Sequence, residues 1–195
     1  MAESGPIHLA VCSDDFGLHP AVNEGIVESF EQGLLTDTNL MACCPGFDDA
    51  VRLARSHALP IGLHATFTCD MLSYTWGPLT AMRTMVDPHG HFFPEVEPAW
   101  RDADLDEARR ELQAQHQHCV ETGLPLTHLS FHMGLDPFGK LAGLIQEAVR
   151  NTGIPYRGCT ETFQAQGQAR PWGVKRMRVD LQVRSRRQGL DLTSR

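Results

Sequence analysis

Short apolar runs of β type alternate along the chain with segments whose apolar positions recur at helical spacing. Residues 7–13 (IHLAVCS) read as a first strand. Pro20 then presets a helical first turn, and Val22, Ile26, Val27 and Phe30 share one face until Gly33 stops the helix. A second strand is expected at 38–44, a turn at Pro45-Gly46, a helix at 47–57 and a third strand at 59–67. The segment 70–100 carries Gly77, Pro78, Pro88, Gly90, Pro94 and Pro98, which mark an excursion or lid. A long helix follows at 104–122, with Leu105, Ala108, Leu112, Cys119 and Val120 as its apolar stripe and Gly123 and Pro125 as its stop. A fourth strand is expected at 126–133, a helix at 138–150 and a short fifth strand at 156–159.

Strand-then-helix units in succession predict an α/β protein with a parallel sheet, either open or part of a (β/α) barrel. A complete barrel usually takes about 250 residues, and this chain has 195. The domain is expected over 1–169. Residues 170–195 differ in charge: eight basic side chains stand against two acidic ones, net +6, whereas 1–169 holds nine against twenty-two, net −13. That shift marks 170–195 as a basic segment, truncated or divergent relative to the domain before it. The six cysteines form no Cys-x-x-Cys pair, which argues against a zinc ribbon or a disulfide framework. The overall net charge of −7 disfavours a nucleic-acid binder, and no apolar run is long enough for a membrane span. With no basic, apolar leader at the start, a cytoplasmic protein is expected.

In such folds chemistry gathers at the carboxyl ends of the strands. Three polar clusters fall there. Asp14 and Asp15 follow the first strand and point to opposite sides, so one can hold a cation while the other faces a reacting water; a helix cap plus a solvated carboxylate is the alternative. His64 shares a strand face with Gly62 and Thr66, and alone it reads more simply as a hydrogen-bonded core histidine. In 127–133 one face carries His128, Ser130 and His132. Four strand residues span about 13 Å, so a regular strand lets only one of those histidines reach a given ion. His132, nearer the loop, is the favoured ligand, and His128 a structural residue or one behind the ligands. A helical turn after His128 would instead bring the two within about 6 Å. Together, an Asp and two His from three strand ends match a divalent-metal site with open positions. His89, His91, His116 and His118 read as turn or solvated-face residues, and His8, His19 and His57 have no evident partners.

The sequence Cys12-Ser-Asp-Asp-Phe-Gly17 with Val22-Asn-Glu-Gly-Ile26 resembles the opening signature of the YdjC-like carbohydrate deacetylases, which include chitooligosaccharide deacetylases. The likeness continues through Thr38-Asn-Leu-Met41, Gly62-Leu-His64 with Thr66 and Thr68, Val86-Asp-Pro-His-Gly-His-Phe92, Gly123-Leu-Pro-Leu-Thr-His-Leu129, His132-Met-Gly134 and Gly153-Ile-Pro155. It implies a distorted, barrel-like sheet similar to a TIM barrel, incomplete at its C-terminus. It further implies Asp15, His64 and His132 as ligands of one divalent ion, magnesium or zinc, and Asp14 as catalytic base. The implied reaction removes an N-acetyl group from an amino-sugar saccharide and releases acetate. Asn23 and Glu24, opening the first helix at the same edge, are expected to meet sugar hydroxyls; plain helix-start polarity is the alternative. The chain departs from the family in having Ser130-Phe131 where members have Asp-Ser, which removes a polar residue near the ligand. It also lacks a histidine after His132. A catalytically impaired relative that binds carbohydrate or metal is therefore the second reading, and a metal phosphoesterase the third. Missing strands would expose a sheet edge and favour self-association.

Overall fold

The structure is a computed structural model and describes residues 10–71, 73–134 and 139–157. The 170–195 segment, His8 and residues 158–159 of the expected fifth strand lie outside these residues. Four parallel strands form one sheet in the order β1-β2-β3-β4: β1 (Cys12–Phe16), β2 (Asp37–Leu40), β3 (Ile61–Ala65) and β4 (Leu126–Phe131). Tyr156 extends the sheet past β4 through a parallel bridge to Leu129. The architecture is α/β with a parallel sheet, and the four strands do not by themselves close a barrel.

Helices α1 (Pro20–Glu31) and α2 (Phe47–His57) connect the first three strands. Pro20 occupies the first turn of α1, and the His19 ring caps it by accepting from the Ala21 N–H at 3.1 Å. The connection from β3 to β4 carries the excursion, a short helix α3 (Val96–Arg101) that the Pro-rich pattern hid, and α4 (Leu105–Glu121). Asp104 caps α4 by accepting from the N–H groups of Asp106 and Glu107. Helix α5 (Leu141–Thr152) ends at Gly153, which adopts φ +73°.

The stripe expected on α4 is only half right. Leu105 and Val120 are exposed, and polar Glu107, Glu111 and Gln115 are buried beside Ala108, Leu112 and Cys119. Those polar side chains fasten the excursion. Glu111 accepts from Leu79 N–H (3.0 Å), Thr80 N–H (2.8 Å) and the Thr80 hydroxyl (2.7 Å). Glu107 does the same for Arg83 N–H, Thr84 N–H and the Thr84 hydroxyl. Gln115 pairs with both backbone groups of Thr66, just past β3. The segment that composition marks as an excursion or lid is thus tied to α4 by buried acceptors.

Strand alternation sorts the sheet into two faces. Ile61, Leu63, Ala65, Leu129 and Phe131 are buried on one face. Gly62, His64, His128 and Ser130 occupy the other. The sheet curls around that second face: His128 on β4 lies 3.9 Å from Cys12 on β1, and Arg157, beyond β4, pairs with Asp14 on β1.

Candidate metal centre

The first strand does not stop before the two aspartates; its ladder with β2 runs on to Phe16, with a register shift between Ser13 and Phe16. At that bulge Asp15 adopts φ +68°, a left-handed conformation rare for a residue with a Cβ. Adjacent strand residues would face opposite ways, and the bulge re-aims Asp15 toward the histidines. Gly17 completes the turn at φ +95°, where a Cβ would stand 3.0 Å from the Met41 carbonyl oxygen.

Asp15, His64 and His132 come together as the sequence reading expects, each offering a ligand atom within 4.8 Å of the others. His64 is 2% exposed, and its Nδ1 lies 2.7 Å from Ser130 Oγ. The Ser130 hydroxyl has the Leu63 carbonyl as its own acceptor at 3.5 Å, so it accepts from His64 Nδ1–H. With Nδ1 engaged there, His64 turns Nε2 toward Asp15 Oδ1 at 3.4 Å, and Nε2 is the nitrogen left for an ion. His132 sets Nδ1 3.1 Å from the same Asp15 oxygen and Nε2 3.1 Å from Asp70 Oδ1.

Ligands about 2.1 Å from a tetrahedrally coordinated ion stand roughly 3.4 Å apart, and the two Asp15–histidine separations, 3.4 and 3.1 Å, match that edge. Each imidazole also has an outer partner, Ser130 on His64 and Asp70 on His132, as metal-binding histidines do. The donor set fits a divalent ion. Electrostatics agree: burial opposes ionisation of Asp15, but hydrogen bonds from His132 and His64 outweigh it and hold the carboxyl well below its usual range. Burial likewise opposes charge on His132, yet Asp15 and Asp70 raise its pKa.

Asp14 is held by Asn39 Nδ2 at 2.5 Å and by the Arg157 guanidinium, with its side chain 41% exposed. The indole of Trp76 meets the His132 ring edge-on, with centroids 6.2 Å apart. Three expectations need correction. Asn23 is fully buried: its Oδ1 accepts from Gly17 N–H at 2.7 Å and its Nδ2 donates to Gly46 O and Asp49 Oδ2, so it fixes the β1–α1 turn and is closed to a sugar. Glu24 stays exposed on α1. His128 touches Thr127 and Cys12 and faces Asp37, so it does not stand behind the three ligands. Third, Ser130 is no lost polar partner, since its hydroxyl supports His64, while Phe131 packs away from the site against Phe67 and Tyr156. Sequence reasoning missed Asp70, Asn39 and Arg157. Asn39 lies inside a quoted motif and Asp70 two residues past Thr68, but nothing in their spacing set them apart.

The YdjC-like protein family model matches residues 8–194 of the sequence. The chain belongs to the YdjC-like family. That match runs past the last motif at 155 and into the basic segment. A carbohydrate deacetylase of Listeria monocytogenes (strain CLIP80459) is 33% identical over 129 residues, 64% of this chain and 51% of that protein. One from Vibrio cholerae (strain O395) is 36% identical over 148 residues, 74% of this chain and 56% of that protein. A solved structure from Enterococcus faecalis, a proposed cellobiose-phosphate cleavage protein, superposes with a TM-score of 0.70 at 27% identity, covering 80% of this chain and 60% of that one. The chain thus spans about half the length of the curated relatives it matches. Among the described residues no helix is long and apolar enough to cross a membrane.

Proposed function

We propose that the protein is a metal-dependent hydrolase that removes the N-acetyl group from an amino-sugar saccharide. The observation that carries this reading is the convergence of Asp15 Oδ1, His64 Nε2 and His132 Nδ1 at ligand-to-ligand distances. Two imidazoles and one carboxylate suit zinc better than magnesium, which prefers an all-oxygen shell. A divalent ion held there supplies Lewis acidity toward the amide carbonyl and acidifies a bound water.

The remaining chemistry belongs to side chains. Asp14 accepts the proton of the attacking water as general base. Asn39 and Arg157 fix the orientation of its carboxylate. Ser130 and Asp70 hold the two imidazoles with the correct nitrogens facing inward. Glu24, rather than Asn23, has side-chain atoms left for a sugar hydroxyl. The two-part division, a catalytic domain over 1–169 and a basic 170–195 segment, the cytoplasmic setting and self-association belong to the same proposal.

One observation favours a second reading. Both ring nitrogens of His132 are engaged, by Asp15 and Asp70, and those of His64 face Ser130 and Asp15, so neither histidine is free to protonate the leaving amine. On that reading the chain binds saccharide or metal without turnover. Acetate release from an N-acetylated chitooligosaccharide, assayed with zinc-loaded protein, separates the two. The hydrolase reading predicts release that falls about 100- to 10,000-fold in Asp14→Asn with ion binding intact. Saccharide binding without release would establish the second reading instead.

A further inference from the structure

A second group of ligand-type side chains sits deeper in the curled sheet, toward the amino ends of the strands. Cys12 opens β1, Asp37 opens β2, and the ladder sets them side by side. His128 comes from β4 and reaches them across β3. Residue 62 permits this crossing by being glycine: a Cβ there would stand 2.7 Å from His128 Cε1 and 2.6 Å from Asn39 Oδ1. Cys12, Asp37 and His128 each offer a ligand atom within 4.8 Å of the others.

The hydrogen bonds around His128 say which nitrogen is available. Thr127 Oγ1 lies 3.0 Å from the Ile61 carbonyl oxygen and 2.9 Å from His128 Nδ1. Its own proton goes to the carbonyl, so it accepts from Nδ1–H. The ring's lone pair is then on Nε2, which faces Cys12 Sγ at 3.9 Å. A tetrahedral zinc ion holds sulfur and nitrogen ligands about 3.6 Å apart, so a closure of a few tenths of an ångström suffices. Asn39 Nδ2 points at the same sulfur from 3.3 Å, a donor well placed for a thiolate.

A separate observation also calls for a cation. Asp37 Oδ1 and Asn39 Oδ1 are buried without a hydrogen-bond partner among the described residues. An acceptor left so is costly, and a carboxylate oxygen most of all. A thiol, an imidazole and a carboxylate could instead form a nucleophile with its base. Burial and the Asp37 carboxylate push the Cys12 thiol far above its ordinary range, the reverse of what a nucleophile needs. A metal ion displaces that proton directly.

We infer that Cys12, Asp37 and His128 form a second metal site, selective for zinc-like ions, that ties β1 and β2 to β4. It shares no side chain with the Asp15–His64–His132 centre and does not rest on the hydrolase reading. Cobalt(II) titration of the chelator-stripped full chain tests it. The expected result is two ions per chain at saturation and a thiolate-to-cobalt charge-transfer band. Cys12→Ser removes the band and one equivalent, whereas His64→Ala removes one equivalent and leaves the band. Absence of a thiolate band from the wild-type protein at saturating cobalt overturns the inference without any variant. So does a band that survives in folded Cys12→Ser. A wild type that shows the band but binds a single ion, untouched by His64→Ala, supports the second site and defeats the first.

Discussion

Removing the Glu111 carboxylate is expected to loosen the excursion and, through it, the metal centre. Glu111 is fully buried and accepts from three donors of the excursion, Leu79 N–H, Thr80 N–H and the Thr80 hydroxyl, and from Gln115 Nε2. Each orphaned donor costs about 1–3 kcal/mol. Leu79 is 43% exposed, so water rehydrates part of what is lost, and the low end of that range applies. Three donors at about 1 kcal/mol each give roughly 3 kcal/mol for Glu111→Ala, or a melting temperature lower by about 6–12 °C in a chain of this size. The loss should also reach the ligands, because the same segment brings Asp70 to His132 and sets the Trp76 indole edge-on beside it. Urea denaturation gives the stability change, and limited proteolysis reads the opening as faster cleavage within residues 73–93. A loss under about 1 kcal/mol, with unchanged cleavage, would refute the view that buried acceptors on α4 hold the excursion.

Three further outcomes follow from the same contacts. Asn23→Ala should destabilise by about 2–3 kcal/mol by stranding the buried Gly17 N–H, without a selective rise in KM for any saccharide; a KM effect in a stable variant would restore the sugar-contact reading. Ser130→Ala removes the acceptor from His64 Nδ1 and should weaken zinc binding about 10- to 100-fold in calorimetric titration, while an unchanged affinity would show that His64 needs no outer partner. Backbone bonds from Arg83, and then Thr84, outweigh burial and hold the Glu107 carboxyl below its ordinary pKa of 4.5. The folded value is depressed, so Glu107 stabilises the protein above about pH 4.5 and that contribution disappears as pH falls through the depressed value. Glu107→Gln should therefore be less stable than wild type at pH 7, with the gap closing in acid; a constant gap would contradict it.

Much of the fold was legible because it rests on local chemistry. Pro20 at a helix start, Gly33 and Gly153 at helix ends and strict alternation in 61–65 and 126–131 all act within a few residues. The same alternation put His64 and His132 on the inner face, and the family motifs singled out Asp15. What escaped depends on partners distant in sequence. The left-handed turn at Asp15 is imposed by pairing with β2, and nothing in Asp-Asp announces it. The buried face of α4 reads as solvated because Glu107, Glu111 and Gln115 are polar, and only the excursion's N–H groups explain their burial. His128 looked like support for the neighbouring histidine; glycine at 62 turns it toward Cys12 on the far strand instead. Asp70 and Arg157 gave no signal, since each matters only through the single side chain it meets.

Crystals grown with saturating zinc, and anomalous diffraction measured at the zinc edge, would test the central assignment most directly. The account predicts an anomalous peak within bonding distance of Asp15 Oδ1, His64 Nε2 and His132 Nδ1. Zinc-free density among those three atoms, with the side chains still in place, would contradict it.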